Sequence, residues 1–161
     1  MSKRSIEPLD PETWFERLEK LLDEARSGQG TSEGTLVRQA CYLVKLAPGP
    51  FADLVPTGLG EAELEKMLDC GAYESAVMVL VGPKTTFTVR KDAGRKEVSA
   101  TMSLEPELAP GHGSHPSCAK AMLQAWVRCL AITAGIELPG DIRNPGPRKF
   151  RSGWPPSSTE H

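Results

Sequence analysis

The sequence predicts an α+β fold: a three-stranded antiparallel β-meander packed by a long C-terminal helix and preceded by N-terminal helices, in the order α-α-α-β-β-β-α. Three observations predict it. Apolar residues recur at helical spacing from Trp14 to Ala25 and again from Leu36 to Val44. Residues 76–104, AVMVLVGPKTTFTVRKDAGRKEVSATMSL, are rich in strand-forming residues and broken by a Gly-Pro turn and an Asp-Ala-Gly-Arg turn. A third helical period runs from Ala119 to Ala131. Short connections without a repeated strand-helix alternation point away from a doubly wound sheet.

Asp10-Pro11-Glu12 carries the signals of a helix start: a capping oxygen, a proline preset for the first turn and an acid at the positive end of the dipole. The first helix then buries Trp14, Phe15, Leu18, Leu21, Leu22 and Ala25, and Gly28 and Gly30 end it. Its acids, interleaved with Arg17 and Lys20, form a solvated face rather than a catalytic pair. Thr31-Ser32-Glu33 caps a second helix with Leu36, Val37, Ala40, Cys41, Leu43 and Val44 on its apolar side, stopped by Pro48 and Pro50. Residues 47–60 form a connector with Phe51, Leu54 and Val55 to bury, and a short helix follows from Glu61 to Cys70, ended by Gly71.

The continuous apolar run Ala76 to Val81 reads as a central strand. The next two strands alternate: Phe87 and Val89 against Thr86, Thr88 and Arg90, then Val98, Ala100, Met102 and Leu104 against Glu97, Ser99, Thr101 and Ser103. Glu105 to Ser114 reads as a Pro/Gly loop, with the last helix starting near Ser114-His115-Pro116. That helix sets Ala119, Met122, Leu123, Trp126, Val127, Leu130 and Ala131 against a polar stripe of Lys120, Gln124 and Arg128.

With 161 residues, 39% of them hydrophobic and 25% charged, one core is expected, in a single domain over residues 1–138. Residues 139–161 hold five Pro and three Gly and read as an extended tail. The formal charge is -2; the tail carries Arg143, Arg148, Lys149 and Arg151 against Asp141 and Glu160, hence +2, which leaves the remainder at -4. Any polyanion contact is therefore local. Met1-Ser2-Lys3-Arg4 leads into Ser5-Ile6-Glu7-Pro8 rather than an apolar run, and no stretch approaches the roughly 18 apolar residues of a membrane span, so the expectation is a cytoplasmic protein without membrane contact. Cys41, Cys70, Cys118 and Cys129 form no CxxC pair and read as thiols of a reducing compartment.

No paired nucleophile and base, phosphate-cradling glycine loop or paired carboxylates stand out, so no catalytic residue and no cofactor is assigned, and the expectation is not an enzyme. His112, His115 and Cys118 have a His-x2-His-x2-Cys spacing that zinc accepts, with Cys41 or Cys70 as a fourth ligand. The second paired ligand set of structural zinc sites is missing, so no metal is expected, and the same residues read as a capping loop with Cys118 buried in the first helical turn. A nucleophilic Cys118 activated by the helix dipole and a nearby histidine is the catalytic form of this cluster.

Two surfaces are candidates for binding. One is the sheet face carrying Thr86, Thr88, Arg90, Ser99, Thr101 and Ser103, which meets either water or a partner. The other is the tail, where Arg148, Lys149 and Arg151 offer charge to phosphates and Phe150 and Trp154 offer rings for stacking on bases or for clasping a protein. The expected activity is that of a macromolecular interaction or regulatory protein with a protein partner; binding of double-stranded RNA or DNA is the alternative. The oligomeric state is not legible in the sequence.

From the short helix onward, Tyr73-Glu74, Gly82-Pro83, Phe87-Thr88-Val89 and Ser117-Cys118-Ala119-Lys120 resemble the pattern of the double-stranded-RNA-binding domain, an α-β-β-β-α module. That resemblance implies phosphate contacts from the start of the last helix, a place held here by Lys120. Residues 71–76, GAYESA, with the order of elements after them, also resemble small accessory proteins of bacteriophages and mobile elements. This second resemblance implies a protein that modulates a host or viral macromolecule.

Overall fold

The computed structural model describes residues 7–27, 30–56, 60–105, 107–136 and 138. Helix α1 spans Pro11–Arg26, and its cap forms as the sequence predicts: the Thr13 amide donates to Asp10 Oδ2 at 3.0 Å and the Thr13 hydroxyl to Oδ1 at 2.7 Å. All six predicted apolar residues of α1 are buried. Helix α2, Glu33–Lys45, is capped by Ser32, whose Oγ accepts from the Thr35 amide, and it too buries its predicted set. Pro48 leads into a single helical turn, α3 (Gly49–Ala52), which delivers Phe51 to the core. There the rings of Trp14, Phe15 and Phe51 meet with centroids 4.8 to 5.1 Å apart, and Trp14 Nε1 donates to the Leu43 carbonyl at 2.7 Å.

Helix α4, Glu61–Asp69, ends in a Schellman pattern: Gly71 takes a φ of +73°, its amide bonds to Leu68 O, and the Ala72 amide bonds to Met67 O at 2.8 Å. The chain then enters helix α5, Tyr73–Val81, so the strand that the apolar run predicts over Ala76 to Val81 is a helix. A short apolar run does not by itself separate a strand from a buried helix. Its burial does: Ala76, Val77, Leu80 and Val81 face the core, while Met78 and Val79 stand 42% and 40% exposed, a helical spacing. Gly82, at φ +79°, and Pro83 end α5, so Tyr73-Glu74 opens and Gly82-Pro83 ends a helix rather than a strand.

Three strands follow, β1 (Thr86–Lys91), β2 (Val98–Ser103) and β3 (Gly111–His115), in an antiparallel meander of order β1-β2-β3. Strand β3 takes the last four residues of the expected loop, Gly111 to Ser114, and His115, which the sequence predicts at the start of the last helix. Its glycines explain the difference: a Cβ on Gly111 would fall 2.4 Å from Ala125 O, and one on Gly113 would fall 2.0 Å from Ala121 O. Glycine in a strand here marks close backbone approach by a helix.

That helix is α6, Cys118–Ala134, begun by Ser117, whose Oγ accepts from the Lys120 amide, and ended by Gly135 in the left-handed region. The predicted long C-terminal helix therefore does pack on the meander. It is also covered on its other side by α1, α2 and α5, so it runs through the middle of the molecule. This corrects the reading of Lys120, Gln124 and Arg128 as a solvent stripe, since Lys120 and Gln124 are buried. On the sheet, Val98, Ala100 and Met102 with Gly111, Gly113 and His115 lie under α6. Strand β1 does not: every residue of it is exposed, and Phe87 and Val89 stand on the α6 side without cover.

Candidate interaction surface

The register assembles the outer face of the sheet from residues that sequence places far apart. Thr86 lies opposite Ser103; Thr88 opposite Thr101, and Thr101 opposite His112; Arg90 opposite Ser99, and Ser99 opposite Ser114. The six sheet residues singled out in the sequence thus form one surface of three short rows, exposed or half-buried throughout. His112 and Ser114 complete the rows. The sequence hides this role because the glycines and prolines around them read as a loop, although the alternation Gly-His-Gly-Ser-His is the available signal.

Hydrogen bonds hold parts of this face in place. Thr101 Oγ1 and His112 Nδ1 lie 3.2 Å apart, the Ser114 hydroxyl donates to Glu97 Oε2 at 3.0 Å, and the Ser103 hydroxyl donates to the Glu105 carbonyl at 2.9 Å. Arg90 Nε donates to Asp92 Oδ1 at 2.8 Å with its side chain largely exposed. Thr86, Thr88 and Ser99 add short hydroxyl side chains, giving a shallow surface of donors and acceptors rather than a cleft. At one end the β1–β2 hairpin exposes Arg90, Lys91, Arg95 and Lys96 against Asp92 and Glu97. Lys91, Arg95 and Lys96 were not assigned a role from sequence; the two Arg-Lys pairs flanking the turn were the visible sign.

The metal reading fails on geometry. His112 and His115 are an odd number of residues apart on β3 and point to opposite faces of the sheet. The outer His112 meets Thr101, whereas the buried His115 accepts the Ser117 amide at Nδ1, 2.9 Å, and directs Nε2 to the Ser27 carbonyl, 3.2 Å. The Cys118 thiol lies 3.8 Å from Met122 Sδ. Among the described residues, no three His, Cys, Asp or Glu side chains are placed to hold an ion. Nor is the Cys118 thiol activated: burial first, then the charges of Glu74 and Glu33, push its pKa up.

Lys120, the residue aligned with the phosphate-gripping position, is buried and unsuited to that contact. Arg148, Lys149, Phe150, Arg151 and Trp154 lie outside the described residues. A concavity lies elsewhere and is not visible in the sequence: an open groove of about 500 Å³ between α1 and α2, lined by Arg17, Lys20, Gln39 and Tyr42 over Leu21, Leu43 and Leu46. No helix among the described residues is long and apolar enough to cross a membrane. No protein-family model matches the chain, and neither the curated proteins nor the solved structures give a match.

Proposed function

We propose that this chain is a non-catalytic interaction protein that binds a protein partner through the outer face of its sheet and thereby modulates it, in the manner of a phage or mobile-element accessory protein. One observation carries the reading: α6 occupies one side of β2 and β3, while the other side presents exposed or half-buried rows of Thr and Ser hydroxyls, with Arg90 and His112 among them, short enough over most of their area to let a second backbone approach. A photo-crosslinking side chain at Ser99, in the middle of that face, tests it against the same probe at Glu63 on α4, which is also exposed. The reading expects a defined crosslinked heterocomplex from Ser99 and none from Glu63. Equal crosslinking from both sites contradicts it.

A second reading, duplex nucleic-acid binding, has its own support in the exposed cations of the β1–β2 hairpin, a local basic patch on a chain of net charge -2. Fluorescence anisotropy of labelled RNA and DNA duplexes at low and near-physiological salt separates the two. Nucleic-acid binding shows a steep loss with salt and is weakened in the Arg95→Ala/Lys96→Ala variant. Absence of binding at low salt removes this reading and leaves the first in place.

A further inference from the structure

The two edges of the sheet are unlike. At β3, α6 closes the edge with side chains: Gln124 Nε2 donates to Ser114 O at 3.1 Å, Gln124 Oε1 accepts from the Ser114 amide at 3.3 Å, and one turn later Arg128 donates to the His112 carbonyl. At β1, six consecutive residues are exposed, with Phe87 and Val89 at 37% and 38% on the side that α6 leaves uncovered. A free edge of this length, without proline in the strand, is a template for another strand.

We infer that the occupant of this edge is a second copy of the chain, joined through antiparallel β1 strands about a twofold axis at Thr88. The pleat restricts facing residues to those on the same side of the sheet, which leaves few registers. Centred on Phe87, the pairing brings Arg90 level with Lys84 of the second copy, like charge on like. Centred on Val89, it sets Val89 against its own copy but Phe87 against Lys91. Centred on Thr88, it sets Phe87 against Val89 of the second copy twice over, Arg90 against Thr86, and Asp92 level with Lys84, opposite charges at both ends. The other registers pair one apolar residue with its own copy and leave the second against a polar one; this register alone pairs both and sets charge level with countercharge. With β3 sealed by Gln124 and Arg128, the contact closes at two copies and builds no filament. The result is a six-stranded sheet whose outer faces run together, and it stands whether or not that face binds a further partner.

Sedimentation velocity of the full chain across a concentration series tests this. The mass moves from one chain to two as concentration rises. Val89→Lys, a change at an exposed position, holds the protein at one chain while far-UV circular dichroism stays unchanged. Lys84→Asp weakens association by roughly three- to tenfold, and adding Asp92→Lys restores it. In a Cys70→Ser background, Thr88→Cys crosslinks between copies under mild oxidation and Thr86→Cys does not. A one-chain mass at every concentration up to about 1 mM, association unaltered by Val89→Lys, or crosslinking through position 86 in place of 88 overturns the inference.

Discussion

Gly113 sits so close beneath α6 that a Cβ placed on it would lie 2.0 Å from the Ala121 carbonyl oxygen. Neither partner is the tip of a mobile side chain, so the collision is relieved only by moving a helix that runs through the middle of the core. Gly113→Ala is therefore expected to destabilise by at least the roughly 1–3 kcal/mol of ordinary overpacking. Gly49→Ala, at a site with no heavy atom within 4 Å, is the matched control and stays close to wild type in urea denaturation.

Gln124 ties three elements together. Its amide donates to Ala25 O in α1 and to Ser114 O in β3 and accepts from the Ser114 amide, all while almost fully buried. Gln124→Leu keeps the bulk but strips those backbone groups of their partner, and each such loss costs on the order of 1–3 kcal/mol. Chemical denaturation should show a loss in that range or above it, and hydrogen exchange should show the Ser114 amide deprotected ahead of the β2 amides. Unchanged stability contradicts the role.

Trp14→Phe retains the ring stack on Phe51 but removes the donor to the Leu43 carbonyl. A loss of about 1–3 kcal/mol is expected from the orphaned acceptor. Tyr42→Ala, at a side chain 64% exposed, is expected within about 0.5 kcal/mol of wild type.

Burial pushes the Cys129 thiol from 9.0 up to about 11. The folded protein therefore holds this proton more tightly than the unfolded chain does. The contribution to stability is complete below pH 9 and is lost as pH rises from about 9 toward 11. Stability measured over that window should fall more steeply for wild type than for Cys129→Ala. At pH 8, a thiol reagent should modify exposed Cys70 first and buried Cys129 last.

What the sequence reveals depends on whether local chemistry or tertiary packing determines the outcome. The caps at Asp10 and Ser32, the six buried positions of α1 and the stop at Gly71 are local, and each was legible. The two faces of β1 and β2 were legible too, because Phe87/Val89 and Ala100/Met102 alternate with hydroxyl residues, although which residue lies opposite which was not. Residues 76–81 were not: an unbroken apolar run carries no period, and only the neighbours of α5 decide which two side chains face out. Strand β3 was hidden because Gly111 and Gly113 are poor strand formers that qualify only through the helix lying on them. The buried Lys120 and Gln124 follow from the same cause, a helix covered by a sheet on one side and by α1 on the other.

The most direct test of the central claim is hydrogen exchange of the full chain with and without the partner captured through Ser99. The account predicts slowed exchange over Thr86–Lys91 and Val98–Ser103, with α1 and α2 unaffected. Protection centred instead on the groove at Arg17, Lys20 and Tyr42 would contradict it and move the binding surface to the opposite, helical side.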